Sequence, residues 1–279
     1  MPEDQAAKAA RFAAMHGADG ILVLPNAWDA ISACVLAEAG FEALATTSGG
    51  CAFSLGYGDG EKIPMDEMAA AVGRIARAVR VPVSADMEAG YGRSPEDVGA
   101  CVRATLAAGA VGINIEDSDK SGAAPLLDFS LSVARIEAAV AAAREAGIPA
   151  VVNARTDGFH FGSDRATFDE AVRRANAYLS AGAGCAFVPF VRDAETIGAL
   201  AEAIDGPMNV LAGPGTPSVA ELAALGVKRV TVGSNITKAA LVAARRAAEE
   251  LRDSGTYEFA RGAYTQPEVH ALLKKSREG

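Results

Sequence analysis

Eight short apolar runs recur along the 279 residues, each followed by an Ala-rich stretch of helical period. They are Ile21 to Pro25, Ala43 to Thr47, Val81 to Asp86, Val111 to Glu116, Ala150 to Arg155, Ala186 to Phe190, Met208 to Leu211 and Arg229 to Val232. Five of the helical stretches end alike, at Ala39-Gly40, Ala108-Gly109, Ala146-Gly147, Ala181-Gly182 and Leu225-Gly226, where glycine can take the left-handed position that closes a helix. Pro82, Pro149 and Pro207 stand at strand starts, where a missing N–H is tolerated, and Ser94-Pro95-Glu96-Asp97 carries the cap, first-turn proline and acids of a helix start. Apolar strands alternating with helices demand a parallel sheet covered on both faces. Eight such units close most naturally into a (β/α)8 TIM barrel. An open dinucleotide-binding sheet would want GxGxxG after the first strand, and Pro25-Asn26-Ala27-Trp28-Asp29 stands there instead. No linker divides the chain, so residues 1–279 read as one α/β barrel domain. Beyond an eighth helix at Thr237 to Arg252 comes a C-terminal helical extension, about residues 255–279. Its helix at Pro267 to Lys275 is expected to pack on the barrel or to swap onto a neighbouring subunit.

The hydrophobic half of the composition suffices for a large core, and the net charge of -9 without any Lys/Arg block argues against a nucleic-acid or anionic-membrane surface. A small anionic substrate would therefore need local positive charge. Cys34, Cys51, Cys101 and Cys185 stand far apart and form no CxxC pair, which suggests neither a zinc site nor a disulfide framework and makes a reducing, cytoplasmic setting the default. The N-terminus lacks an apolar signal core, and no uninterrupted apolar stretch is long enough to span a bilayer; a soluble protein is expected.

In such a barrel the C-terminal strand ends build the site, and polar residues accumulate there. Ser84-Ala85-Asp86-Met87-Glu88 and Asn114-Ile115-Glu116-Asp117 end successive strands. Side-chain alternation would point Asp86 and Glu88 the same way, with Glu116 joining them from the next strand. Three buried like charges need protons or a cation, and an all-oxygen set suits Mg²⁺, or Mn²⁺, with waters completing the shell. After the second strand, Thr47-Ser48-Gly49-Gly50 offers backbone N–H groups to a carboxylate or phosphonate. After the fifth, Asn153 and Arg155 share one face, and Arg155 offers a two-pronged donor to a carboxylate or enolate oxygen. Asp59 sits in a Gly-rich loop able to fold over the mouth, and Lys120 is the one titratable group in its loop able to protonate a leaving enolate or contact a distal carboxylate. His160, flanked by Phe159 and Phe161, reads as packing; Gly213-Pro214-Gly215 and Gly233-Ser234-Asn235 read as turns, and Trp28 and Asp29 as an aromatic wall and a helix cap.

The strings Asn26-Ala27-Trp28-Asp29-Ala30, Thr47-Ser48-Gly49-Gly50, Ser54-Leu55-Gly56-Tyr57-Gly58-Asp59, Ala85-Asp86-Met87-Glu88-Ala89-Gly90-Tyr91-Gly92, Ile113-Asn114-Ile115-Glu116-Asp117 and Asn153-Ala154-Arg155-Thr156-Asp157 together resemble the isocitrate lyase and phosphoenolpyruvate mutase superfamily over nearly the whole chain. The resemblance implies a homo-oligomeric barrel, a tetramer or dimer with terminal helices exchanged between subunits. It implies Mg²⁺ held near Asp86, Glu88 and Glu116, largely through water. It also implies that Ser48, Gly49 and Gly50 grip the substrate, that Asp59 lies beside the metal, and that Arg155 contacts the oxyanion. The shared chemistry makes or breaks a bond next to a pyruvoyl group through an enolate-like oxyanion.

The chain departs from the isocitrate and methylisocitrate lyases in the loop after Asp117. It reads Ser118-Asp119-Lys120-Ser121-Gly122-Ala123-Ala124-Pro125-Leu126, without the Lys-Lys/Arg-Cys-Gly-His string of those enzymes. It also lacks the longer Lys-rich loop of the mutase and phosphonopyruvate hydrolase, and Phe187-Val188-Pro189-Phe190 has no histidine. The expectation is a Mg²⁺-dependent lyase that splits or decarboxylates a small 2-oxo or 2-hydroxy dicarboxylate. A P–C bond enzyme resembling phosphonopyruvate hydrolase or carboxyphosphonoenolpyruvate mutase is the nearest rival, and a non-catalytic 2-oxo acid binding protein is the rival of another class.

Overall fold

A computed structural model describes residues 4–278. Its strands are β1 (Leu22–Leu24), β2 (Asn26–Ala27), β3 (Leu44–Thr46), β4 (Val83–Asp86), β5 (Gly112–Glu116), β6 (Val151–Arg155), β7 (Cys185–Phe187), β8 (Met208–Leu211) and β9 (Arg229–Thr231). All are parallel, in the order β1-β9-β8-β7-β6-β5-β4-β3-β2. β1 and β2 are one segment interrupted at Pro25. Leu22 to Leu24 pair with β9 and Asn26–Ala27 with β3, so this first stave closes the ring and the nine strands make eight staves. Proline has no N–H to give a ladder, and the stave changes partners at that residue.

The helices are α1 (Gln5–Gly17), α2 (Ala30–Glu38), α3 (Ser48–Ser54), α4 (Met65–Ala78), α5 (Pro95–Ala107), α6 (Phe129–Glu145), α7 (Gly158–Phe161), α8 (Arg165–Ser180), α9 (Ala194–Ala203), α10 (Val219–Ala224), α11 (Asn235–Asp253) and α12 (Gln266–Glu278). Their starts follow the sequence signals. Asp29 caps α2 by accepting from the Ser32 N–H at 2.7 Å, and Ser94 and Asp97 form a reciprocal capping box at α5. The sixth apolar run differs from expectation: the strand spans Cys185 to Phe187 and stops short of Phe190, because Pro189 has no N–H and Phe190 turns left-handed at φ 70°. The helical extension is present as α12, which packs on α2 and α4 of its own chain and buries Leu272.

α1 closes the opposite end of the barrel. Gln5 donates to the carbonyls of Leu106 and Ala110, and Phe12 enters the ring, where a side chain at position 112 would meet its Cε1 at 2.7 Å. Gly112 is therefore required by close approach. His16 follows one turn later, fully enclosed beside the buried Arg229. Nδ1 of His16 lies 2.9 Å from the Phe12 carbonyl, which can only accept, so Nδ1 carries the proton. Nε2 is then left to accept from Arg229 Nη1 at 3.3 Å, while Nη2 donates to Ser84 Oγ at 3.2 Å. Burial, and then the Arg229 charge, lower the His16 pKa from 6.5 to about 4.

A histidine kept neutral in the native state takes up its proton more readily unfolded, so its contribution is complete above pH 6.5 and is lost as pH falls toward 4. The expected loss is roughly 3 kcal/mol over that window. Urea unfolding at several pH values should show a shallower acid slope for His16→Gln than for the wild type; equal slopes would contradict the assignment.

Candidate active site

Strand alternation aims Asp86, Asn114, Glu116, Asn153 and Arg155 into the barrel mouth, and register sets them side by side. Asp86 pairs with Asn114, Asn114 with Asn153, and Glu116 with Arg155. Asp117, one residue beyond Glu116, necessarily faces the other way. It accepts from the Asp157 N–H at 2.9 Å, Arg174 Nη1 at 3.1 Å and Tyr178 Oη at 2.7 Å, a buried network that fixes the β5 and β6 ends.

Glu88 reaches the site by a different route from the one alternation suggested. β4 ends at Asp86, and Glu88 is left-handed at φ 52°, which turns its carboxylate back toward Asp86 while its carbonyl still accepts from the Glu116 N–H. Among the described residues the other non-glycines at positive φ are Glu61, Tyr91 and Phe190. Glu61 N–H donates to Glu88 Oε2 at 2.6 Å, Tyr91 N–H donates to Glu61 Oε1 at 2.9 Å, and Phe190 lines the mouth. Backbone strain is thus gathered around one place, as at sites whose surroundings over-determine an unfavourable geometry.

Glu116 lies between two cations. Lys120 Nζ is 2.5 Å from its Oε1, and Arg155 Nη1 is 3.0 Å from its Oε2. Lys120 also stands 3.6 Å from Glu88 Oε2, so it belongs to the acid cluster. Arg155 forks onto Asp157, Nε to Oδ1 at 2.5 Å and Nη2 to Oδ2 at 3.1 Å, with its guanidinium 5.6 Å from the ring centres of Phe187 and Phe190. Burial first, then the charges of Asp86 and Asp59, push the Glu88 carboxyl up to about 8 against the pull of Lys120. Burial pushes Glu116 up to about 7, Arg155 opposing. For Lys120, burial disfavours the charge, but Glu116 and Glu88 outweigh it and the ammonium is held more firmly than usual. Glu88 Oε1 is buried without a hydrogen-bond partner.

The Ser48 turn opens α3. Its N–H groups are partly spent: Ser48 N–H donates to Asp86 Oδ2 at 3.1 Å, and Gly50 N–H to Thr47 Oγ1 at 3.3 Å. Ser48 Oγ donates to Asp59 Oδ1 at 3.3 Å, and a side chain at Gly49 would meet Asp59 Oδ2 at 3.0 Å. The Gly-rich loop thus lays Asp59 over Ser48 and Gly49. Gly50 lies behind the site, where a side chain would meet Thr47, Thr237 and Trp28 at 2.6 to 2.8 Å. Asn153 is fully buried below Arg155; its Nδ2 donates to Asn114 Oδ1 at 2.7 Å, so Asn114 reaches the cavity and Asn153 positions it.

The cavity, of about 320 Å³, runs from Ser48, Asp59, Asp86 and Arg155 to Arg192, Gly213, Ser234 and Lys238. A second hollow over Glu116, Lys120 and Asp157 shares Arg155 and Phe190 with it. His160 packs its ring on Phe190 at 4.8 Å at that entrance. Asn26 spans the ring closure, donating to the Thr46 carbonyl and accepting from the N–H groups of Val232 and Gly233. Sequence reasoning missed Asn26, Asp157, Arg192 and Lys238 and read the Gly213 and Gly233 segments as turns alone. A signal was present for Lys238, which stands in a first helical turn, where a cation opposes the helix dipole. The four cysteines are free and buried.

With this geometry in place, the profile of the phosphoenolpyruvate phosphomutase family matches residues 12–252. The chain belongs to that family. It thereby falls within the isocitrate lyase and phosphoenolpyruvate mutase superfamily, a group of lyases and mutases. It is 36% identical over 242 residues to an uncharacterised protein of Mycobacterium tuberculosis, covering 87% of this chain and 89% of that one. It is 31% identical over 265 residues to a 2-methylisocitrate lyase of Aeropyrum pernix, covering 91% and 83%. Among solved structures, oxaloacetate acetylhydrolase in complex with the product oxalate superposes with a TM-score of 0.88 at 25% identity, covering 97% of this chain and 95% of that one.

Removing the Asp117 charge takes from Arg174 its buried partner and leaves it only the more exposed Glu170, 2.7 Å from its Nε. Asp117→Asn should cost about 3 kcal/mol. The shift in urea midpoint measures it, and an unchanged midpoint would contradict the structural role.

Proposed function

We propose that the chain is a Mg²⁺-dependent lyase that cleaves a C–C bond, or decarboxylates, next to the pyruvoyl unit of a 2-oxo or 2-hydroxy dicarboxylate through an enolate. The observation that carries this is the group of the partly buried Asp86 with the buried Glu88 and Glu116, facing Arg155, with Glu88 Oε1 left unpartnered. The donor set is all oxygen, as Mg²⁺ or Mn²⁺ requires. Among the described residues no three His, Cys, Asp or Glu side chains converge closely enough to hold a metal by themselves, so Asp86, Glu88 and Glu116 would reach an ion in part through water. When bound, it supplies positive charge for the developing oxyanion.

The chain's own residues divide the remaining work. Ser48 and Gly49 hold the substrate carboxylate, the Ser48 hydroxyl turning to it from Asp59, and Gly50 lets the turn pack closely behind them. In a 2-oxo substrate the pair of the breaking C–C bond moves onto the 2-oxo unit as the carboxylate leaves as CO2. In a 2-hydroxy substrate the hydroxyl gives its proton to Asp59, its C–O bond becomes the carbonyl of the 2-oxo product, and the pair passes to the carbon that bears the other carboxylate. In either case the Arg155 guanidinium, fixed by Asp157, meets the oxyanion. Lys120 or Asp59 delivers the proton that quenches the enolate carbon. Asn153 holds Asn114 in register. Relatives named 2,3-dimethylmalate lyase and oxaloacetate decarboxylase support this kind of reaction.

A homo-oligomer, tetramer or dimer, fits the long α11, whose Leu241, Val242 and Leu251 are exposed, as are Tyr257, Phe259 and Tyr264 beyond it. Four buried free thiols suit the cytoplasm, and among the described residues no helix is long and apolar enough to cross a membrane.

Turnover of a panel of 2-oxo and 2-hydroxy dicarboxylates with Mg²⁺, followed by 2-oxo acid release, tests the reading. Glu116→Gln should lower kcat by about 100-fold or more while keeping the wild-type circular dichroism spectrum. Retained activity would refute its role. Phosphate release from phosphonopyruvate would point to P–C chemistry, and binding without turnover to a sensor.

A further inference from the structure

Three of the four residues from Glu88 to Tyr91 are left-handed: Glu88 at φ 52°, Gly90 at φ 86° and Tyr91 at φ 57°. Only glycine takes such angles freely, so the run needs support from outside itself. Its shape matters because it turns the Glu88 carboxylate back toward Asp86. One support is already described: Tyr91 N–H donates to Glu61 Oε1 at 2.9 Å, and Glu61 N–H to Glu88 Oε2 at 2.6 Å. The other is Arg135, on α6, which is 1% exposed. Its Nη1 donates to the carbonyls of Gly92 at 2.6 Å and Arg93 at 2.8 Å, and its Nη2 to that of Ala89. One guanidinium therefore grips the run on both sides, directly after Glu88 and directly after Tyr91.

Arg135 differs in this from the other arginines near the site. Arg174 is paired with Asp117, and Arg155 with Glu116 and Asp157, whereas among the described residues Arg135 joins no carboxylate in an ion pair. Burial disfavours its charge, and the charges of Glu61 and Asp97 only partly oppose this. An apolar side chain would serve helix packing at less cost. What a guanidinium adds is a rigid fork of donors, matched here to three backbone carbonyls of one loop. The loop also reaches across the mouth: Arg93 Nη1 stands 2.9 Å from Asp119 Oδ1, in the segment that carries Lys120.

We propose that Arg135 is a positioning residue: by clamping the carbonyls of Ala89, Gly92 and Arg93 it keeps the loop left-handed and so holds the Glu88 carboxylate at the acid cluster. The inference rests on the metal-site reading of that cluster. Arg135 acts through Glu88 and touches no reacting group.

Arg135 borders a hollow of about 150 Å³ that it shares with Glu61 and Lys120, so water can replace lost donors. Arg135→Lys, which keeps the charge, and Arg135→Gln, which keeps two donors, should therefore retain the wild-type circular dichroism spectrum while losing the fork. By calorimetry both should bind Mn²⁺ about tenfold more weakly than the wild type, with oxalate affinity at saturating Mn²⁺ within about twofold. Hydrogen exchange without metal reads the loop directly: amides in residues 59–62 and 88–93 should exchange about tenfold faster or more, while those around Asp117 keep wild-type rates. Faster exchange throughout the barrel, or a faster loop with wild-type Mn²⁺ affinity, would overturn the positioning role. Wild type that binds no Mn²⁺ would refute the metal-site reading instead. The role of Arg135 then turns on residues 59–62, where the Glu61 N–H reports the Glu88 carboxylate: faster exchange there upholds it, and unchanged exchange overturns it.

Discussion

The mouth of the barrel depends on Glu116 held between Lys120 and Arg155. A buried carboxylate alone would cost several kcal/mol, and Glu116 lies beside Asp86 and Glu88, whose charges add to that cost. The two cations offset it unequally. Arg155 is anchored by Asp157 and by the aromatic faces of Phe187 and Phe190, so it is a fixed element of the site. Lys120 hangs from the short loop after β5 and reaches both Glu116 and Glu88, so the loop is tied down by the same charges that it neutralises. Glu88 keeps one oxygen without a partner even so. That unpartnered oxygen is the observation on which the proposed metal site rests.

The rest of the molecule serves that arrangement. α1 packs Phe12 and His16 into the end of the ring opposite the acids. Asp117, Arg174 and Tyr178 brace the outer side of the same two strand ends that carry Glu116 and Arg155 inward. Asn26 ties the first stave to the last, so the cavity walls formed by Ser48 and by Gly233 cannot drift apart without breaking its hydrogen bonds.

Much of this was legible in the chain because the period of the pattern and the helix-ending glycines report backbone geometry directly. Eight apolar runs became eight staves, and Glu116 and Arg155 met because alternation and register leave them little freedom. The convergence of Asp86 and Glu88 was expected for a reason the structure replaces, since a left-handed residue is not visible when it is not glycine. Gly50 looked like a ligand-binding glycine, yet its constraint is packing against Thr47, Thr237 and Trp28, contacts set by elements far apart in sequence. For the same reason the role of α1, the inward-facing Arg192 and the Asn26 staple carried no local signal. Each depends on which staves close the ring.

The central physical claim is that the buried acids, Ser48 and Arg155 make a metal-dependent enolate site. Oxalate, a planar mimic of the pyruvate enolate, probes it most directly by calorimetry on one purified sample with and without Mg²⁺. Tight binding that appears only with Mg²⁺ is the predicted result; no binding in either state, or equal binding in both, would contradict it.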